Sequence, residues 1–402
     1  MISKRTPPAT RRWLALLFLL MQMGPPSHAC LICLPVPTTS PADYLLESEL
    51  IVIAREDPGA PYWLRIGKVL KGDASGVDRD FFLESPLQPG PSLNRNQEVI
   101  CAYGFPEGRS QPEWARVGAA DVTFTPLVHE ILQRGEQWKT NPKERAAFFA
   151  GHLGHRNQQI RTLAHLEVAR APYDQIREFA GALSPEELRS SLQNFRLTAW
   201  HPLYILLLAR GGEPQDHQLI AGKVRSAAQS KRTLHLAAWV TGWIENDPEA
   251  ALEFVEANYL SDNQRDAAEI RAIFRALSVH GNRGHVHLRD RIVKGYQQVL
   301  AQHPMLAPGI VSDLMAWEQW GLADSILPII STPPPGMDQA SLLQLRAYLR
   351  KAGEVTVRDE QSTGTSYPGR ALGFVLLALL VAFPVGLSLW RWRAGRRRKV
   401  AS

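Results

Sequence analysis

The chain has 402 residues, 45% of them hydrophobic, and a formal net charge of +6. The excess of positive charge lies at the two ends, where four basic residues precede Trp13 and six follow Trp390. Without these ten, 35 of the 45 basic residues remain in the part between, against 39 acidic residues. That part carries a net charge of −4. The distribution excludes the usual inference from a basic chain to nucleic-acid binding, so we expect no nucleic-acid partner.

The N-terminal segment has the three parts of a secretory signal peptide. Basic residues at positions 4–12 precede the apolar run Trp13–Met23, and the small-residue site Ser27-His28-Ala29 follows. A helix of this length spans about 16 Å, against about 30 Å for the hydrocarbon core of a bilayer. An uncleaved anchor would therefore be too short. We predict a signal peptide at 1–29, cleaved between Ala29 and Cys30.

The pattern of residues 30–138 predicts short strands separated by turns. The run Leu50–Ala54 is apolar and rich in β-branched residues, and Tyr62–Leu70 alternates before the turn at Lys71-Gly72-Asp73. Short strands at regular spacing, with Pro- and Gly-rich stretches between them, predict a small barrel or sandwich. Further predicted strands lie at 80–83, 98–103 and 114–117, and one helical turn is expected at 45–49.

Residues 141–353 have a helical pattern instead. Asn141-Pro142, Ser184-Pro185 and Asp247-Pro248 each place a capping side chain before a proline at the first helical position. Helical periodicity follows each of them, which predicts roughly a dozen helices joined by short loops. Serial helix pairs resemble an α-solenoid, most closely HEAT repeats at Leu153–Ala180. An irregular all-helical domain is the alternative.

The C-terminal segment predicts a membrane anchor. A polar linker at 354–370 leads to Ala371–Trp390, twenty residues without a charge, which is long enough to cross a bilayer as a helix. The positive-inside rule places the following tail, 391–402, in the cytoplasm and the bulk of the chain in the periplasm or outside the cell. The alternatives are a buried core helix and a sorting signal that a transpeptidase removes. The basic residues behind the apolar stretch are Arg391, Arg393, Arg396, Arg397, Arg398 and Lys399.

The three cysteines are Cys30, Cys33 and Cys101, so one disulfide would leave a single thiol in an oxidising compartment. The Cys30-x-x-Cys33 spacing suits a redox dithiol. Pro35 and Pro37 follow at once, however, and no βαβ pattern is present, which favours a structural bridge or free thiols. A thiol-redox protein is therefore an alternative function.

The Cys30–Cys33 cluster, the strand at 50–54 and the Lys68–Asp73 segment (KVLKGD) resemble the netrin-like, or tissue-inhibitor-of-metalloproteinase, type of OB-fold domain. The resemblance covers about a quarter of the chain and implies an OB-like barrel. Inhibitors of that family chelate a protease zinc through the amine and carbonyl of a first cysteine, which Cys30 would match after cleavage. Those inhibitors begin C-x-C and have several disulfides, whereas this chain begins C-x-x-C. We expect the fold, with metalloprotease inhibition as an alternative function.

Two groups of histidines are candidate metal sites: His280, His285 and His287 around one loop, and His152 with His155. A zinc site needs three or four converging ligands, and the sequence shows no clear fourth ligand for the loop cluster. We therefore predict no metal and no cofactor, and no catalytic site is evident in the sequence, which favours a protein that is not an enzyme without deciding the question. The tryptophans at 200, 239, 243, 317 and 320 fit a helical core better than a ligand site.

We predict an α+β multidomain protein with one transmembrane helix, which binds another extracytoplasmic protein as a scaffold.

Overall fold

The structure, a computed structural model, shows an α+β protein in which an antiparallel sheet precedes a largely helical remainder. The predicted fold class is confirmed at this level. The chain divides into two compact units, one ending at His287 and the other beginning at Leu288. The structure describes residues 32, 39–57, 59–83, 98–104 and 113–363.

The sheet has five antiparallel strands in the order β3-β2-β1-β4-β5. All five lie where the sequence predicts strands, because short β-branched runs ended by turn residues specify them locally. The strands are β1 (Leu50–Asp57), β2 (Ala60–Lys71), β3 (Asp80–Phe82), β4 (Glu98–Tyr103) and β5 (Trp114–Ala119).

The sheet curls into a half-barrel. Shifts of register interrupt the β1–β2 pair near Ile51, Ile53 and Glu56, and such bulges bend and twist a sheet. The curl brings the two edge strands together, because Phe81 of β3 stacks on Trp114 of β5 with ring centroids 3.8 Å apart. The side chains, rather than a further ladder of backbone hydrogen bonds among the described residues, close the gap.

Both faces of the sheet are buried. Inside the curl, Val52, Leu64 and Cys101 belong to a small apolar core of their own. On the outer face, Ile51 and Ile100 belong to the larger core that continues through the helices of the first unit. The sheet and these helices therefore share one hydrophobic core.

The helices of the first unit begin where the capping signals predict. Pro142, Pro185 and Pro248 each occupy the first helical position, and Ser184 forms the expected capping box with Glu187. These helices are α1 (Pro41–Glu47), α2 (Phe124–Thr140), α3 (Pro142–Ala150), α4 (Gln158–Ala169), α5 (Tyr173–Glu178), α6 (Pro185–Gln193), α7 (His201–Gly211), α8 (Pro214–Ser230), α9 (Leu236–Asn246), α10 (Pro248–Val255) and α11 (Ala267–Arg283). Shorter helical turns lie at Phe195–Trp200 and Glu256–Leu260, and a third, Val286–Leu288, contains the boundary between the two units.

Helices α7 and α9 pack side by side and run parallel. At their N-terminal ends the rings of His201 and His235 lie 5.5 Å apart, and at their C-terminal ends Arg210 lies 3.7 Å from Glu245. The C-terminal halves of α9 and α11 are also in contact, through His280 of α11. The last turns of these three helices therefore meet.

The second unit is helical over its described residues. Tyr296 stacks on Trp317, and the Tyr348 hydroxyl donates to the Gln319 carbonyl at 2.9 Å. Its last helix extends to Thr363, into the segment predicted as a linker at 354–370. The helices are α12 (Arg289–Gln302), α13 (Ala307–Ala316), α14 (Ala323–Ser331) and α15 (Gln339–Thr363), with a short turn at Pro304–Leu306.

Within the described part of the chain, none of the helices is both long and apolar enough to cross a bilayer. The predicted membrane helix at 371–390, the signal peptide at 1–29 and the basic tail at 391–402 lie outside the described residues. These three segments stay predictions.

Candidate functional site

A buried polar cluster lies where the last turns of α9 and α11 meet. Glu245 of α9, His280 of α11 and His285 of the following loop each offer one ligand atom, and these atoms lie within 4.8 Å of one another. Among the residues that the structure describes, this is the group of histidine and carboxylate side chains placed to share a metal ion. Below we call Glu245, His280 and His285 the His-Glu cluster.

The Glu245 carboxylate is held at both oxygens. The Tyr173 hydroxyl donates to Oε2 at 2.9 Å, and Nε of Arg177 donates to Oε1 at 2.9 Å. Both donors lie on the short helix α5, some 70 residues earlier in the chain. The Glu245 side chain is only 1% exposed. The hydrogen bonds from Tyr173 and Arg177 therefore offset the free-energy cost of burying its negative charge.

His280 is completely buried and has one ring nitrogen in use. Its Nε2 lies 3.0 Å from the backbone carbonyl of Thr241, and because a carbonyl only accepts, Nε2 must carry the hydrogen. Burial lowers the pKa of His280 to about 3, so the ring is neutral at physiological pH. Nδ1 then has a bare lone pair and no hydrogen-bond partner among the described residues.

His285 lies on the solvent side of the cluster. Its ring stacks on His280 with centroids 5.3 Å apart, and its Nε2 is 3.6 Å from Oε2 of Glu245. His287, which the sequence grouped with these two, is exposed and contacts the edge of the His285 ring. The third member of the cluster is therefore Glu245 and not His287.

The other residues that the sequence singled out do not gather into a site within the described part of the chain. His152 packs against Phe148, and Nδ1 of His155 accepts from the backbone of Asn157. Trp243 and Trp317 are buried, as expected for core residues, whereas the tryptophans at 200, 239 and 320 are half-buried.

Cys101 is a free thiol inside the curl of the sheet, and burial raises its pKa to about 12. A thiol with that pKa is neither nucleophilic nor redox-active at neutral pH. Cys30, Cys33, the cleavage site at Ala29 and the basic residues of the tail lie outside the described residues. The predictions that concern them stay predictions.

A second feature lies at the opposite ends of α7 and α9, where two large apolar side chains face solvent. Phe195 is 78% exposed and Leu234 is 69% exposed. Phe195 follows Asn194, whose carbonyl is 3.1 Å from Nε2 of His201, and Leu234 precedes His235, which packs on His201. The two loops therefore meet, and we call Phe195 and Leu234 with these two histidines the loop surface.

No family model matches this chain, and no curated protein and no solved structure matches it either.

Proposed function

We propose that this chain is a membrane-anchored, extracytoplasmic protein that binds another protein through the loop surface. The observation that carries the proposal is the exposure of Phe195 and Leu234 on two loops that meet at His201 and His235. Large apolar side chains that are exposed close to one another mark candidate sites of protein–protein interaction. No catalysis is needed for this function.

The backbone of the second loop supports the proposal. Lys231 and His235 both have a left-handed conformation, with φ of 52° and 56°. Such a conformation costs free energy for residues other than glycine; at Lys231 it forms the C-terminal cap of α8, where a left-handed residue is common. Here it fixes the short loop that presents Leu234 to solvent.

We further propose that the sheet belongs to an OB-like domain and that the helices of the first unit form repeats. The architecture supports both assignments. The order β3-β2-β1-β4-β5 is that of a five-stranded barrel opened between its third and fifth strands, and the Phe81–Trp114 stack lies at that opening. This favours an OB-like domain. Arg210, Glu245 and His280 follow one another at intervals of 35 residues on neighbouring helices, within the range of about 33–47 residues of known helical repeats.

Site-specific photo-crosslinking tests the binding function. Benzoylphenylalanine at Phe195 or Leu234, introduced into the full-length protein in its native cell, is expected to give a discrete light-dependent adduct, with one and the same protein identified by mass spectrometry at both positions. The matched control is Lys223, which is exposed in the middle of α8 and belongs to neither loop. Adducts that are equally abundant from Lys223, or none from either loop, would contradict the proposal.

Mass spectrometry of the mature protein, with protease accessibility in intact cells, tests the topology. We expect a mature N-terminus at Cys30, a retained C-terminal helix and digestion of the bulk of the chain from outside the cytoplasmic membrane. Cytosolic protein with its leader intact would overturn the membrane-anchored part of the proposal without affecting the crosslinking result.

A further inference from the structure

We infer that the His-Glu cluster is a binding site for a first-row divalent transition metal ion, with Zn²⁺ as the ion its donor set fits best. Two imidazole nitrogens and one carboxylate oxygen lie within 4.8 Å of one another. Two histidines with a glutamate form one of the three-ligand sets that zinc takes when its fourth position stays open. Imidazole donors disfavour Mg²⁺ and Ca²⁺, which prefer oxygen ligands.

His280 has the arrangement of a metal ligand. A metal-bound histidine characteristically donates its other ring hydrogen to a carbonyl or carboxylate, which fixes the ring and its tautomer. The contact of Nε2 with the Thr241 carbonyl does this. It leaves Nδ1, which is buried and has no hydrogen-bond partner among the described residues, as the nitrogen of His280 that can bind an ion. A buried nitrogen left in this state is unfavourable unless something binds it.

Glu245 can bind an ion while keeping its present partners. A carboxylate oxygen accepts at two lone pairs, and Oε2 uses one of them for the Tyr173 hydroxyl. The other is available toward His285, whose Nε2 is 3.6 Å away. Arg177 and Arg210 place positive charge near the same carboxylate, which opposes a cation. We therefore expect an affinity below that of a structural zinc site.

The loop after α11 supplies both the third ligand and the path of entry. The side chain of His285 is 21% exposed, whereas those of Glu245 and His280 are closed to solvent. Donors around tetrahedral zinc lie about 3.4 Å apart, for bonds of about 2.1 Å, so the loop must close slightly when the ion binds. Gly284 keeps the space beside Nδ1 open, because a Cβ at this position would lie 2.5 Å from that nitrogen.

Titration of the purified full-length protein with ZnCl₂ tests the inference, after removal of metal by a chelator. The Cys30→Ser/Cys33→Ser variant serves as the background, so that thiolates at these positions cannot contribute zinc ligands. We expect one bound ion by isothermal titration calorimetry, and at least tenfold weaker binding in Glu245→Gln, His280→Ala and His285→Ala. The matched control is His287→Ala, which removes an exposed neighbouring imidazole and is expected to bind zinc as the background does.

Two further measurements keep the test decisive if a buried substitution prevents folding. His285 is partly exposed and lies on a loop, so His285→Ala is expected to fold. Gly284→Ala keeps all three ligands but places a methyl group against Nδ1 of His280, and it is also expected to weaken binding at least tenfold. X-ray absorption of the zinc-loaded protein should show nitrogen and oxygen ligands only. Unchanged affinity in His285→Ala, or a sulfur shell around the zinc, would overturn the assignment.

Discussion

A buried ion cluster joins α1 to α3 and α4, and the substitution Asp43→Asn tests how much it stabilises the first unit. Asp43 is paired with Arg145 and, at 2.7 Å, with Arg170. Its side chain is 7% exposed, while those of the arginines are 21% and 27% exposed. Losing one partner of a buried pair costs about 3–5 kcal/mol. Because both arginines are partly solvated and keep Glu167 as a partner, we expect about 2–3 kcal/mol.

Urea denaturation of the purified protein, followed by tryptophan fluorescence, measures this loss as a lower midpoint at unchanged slope. The matched control is Glu136→Gln, which removes an ion pair with Lys139 whose carboxylate is 86% exposed; it should change the free energy of unfolding by less than about 0.5 kcal/mol. A value for Asp43→Asn as small as that of the control would refute the reasoning.

The same cluster predicts an acid sensitivity whose sign follows from Asp43. Burial opposes ionisation of this carboxyl, but Arg145 and the Ser40 backbone N–H outweigh it and lower its pKa below the ordinary value of 3.8. A lowered folded-state pKa gives stability that is present above the unfolded pKa and lost as the pH falls through the folded value. The difference in stability between wild type and Asp43→Asn should therefore shrink below about pH 4.

Three further substitutions or labelling experiments follow from particular residues. In the Cys30→Ser/Cys33→Ser background, iodoacetamide at pH 8 should modify Cys101 only after unfolding, since burial raises its pKa to about 12; rapid labelling of the folded protein would contradict this. Gly72→Ala should lower the free energy of unfolding, measured by urea denaturation, by about 2–3 kcal/mol. Gly72 has φ of 83°, and a Cβ at this position would lie 2.2 Å from the Glu49 carbonyl oxygen. In the control Gly76→Ala, the added Cβ meets nothing within 4 Å. Ser184→Ala should cost about 1 kcal/mol by removing the cap of α6, and no change in the urea midpoint would exclude a contribution from this capping box.

Local signals in the sequence predicted the elements well. A proline after a capping side chain marks a helix start through interactions within one turn, so Pro142, Pro185 and Pro248 could be located from neighbouring residues alone. The strands were equally local, because alternation and turn residues specify them. The extent of the hydrophobic core could not be predicted from neighbouring residues. The outer face of the sheet packs on helices, and no pattern within 30–138 shows which face of the sheet these helices cover.

The His-Glu cluster was found only in part from the sequence, for the same reason. Its two histidines are five residues apart and were visible as a loop cluster, but Glu245 comes from a helix 35 residues earlier. Tyr173 and Arg177 are more distant still. The signal in the sequence that links Glu245 to the histidines is the 35-residue interval between Arg210, Glu245 and His280. This interval indicates a shared site only once the helices that carry these residues are known to lie side by side.

Two of the buried ionic clusters among the described residues of the first unit differ in a way that bears on function. In the cluster around Asp43, both carboxylates are fully engaged: Asp43 and Glu167 each accept hydrogen bonds at both oxygens, from Ser40, Arg145 and Arg170. Such a closed network is sufficiently explained by its structural role in joining helices. It needs no ligand.

The His-Glu cluster is not closed in this way. Its carboxylate is satisfied by Tyr173 and Arg177, yet Nδ1 of His280 and Nε2 of His285 have no hydrogen-bond partner within the described residues. Apolar residues of similar volume would often stabilise such a position as well or better, so stability alone does not account for two buried or half-buried imidazoles beside a glutamate. Binding of an ion gives both nitrogens a partner, and it is the difference between the two clusters that makes this one the place to look for a ligand.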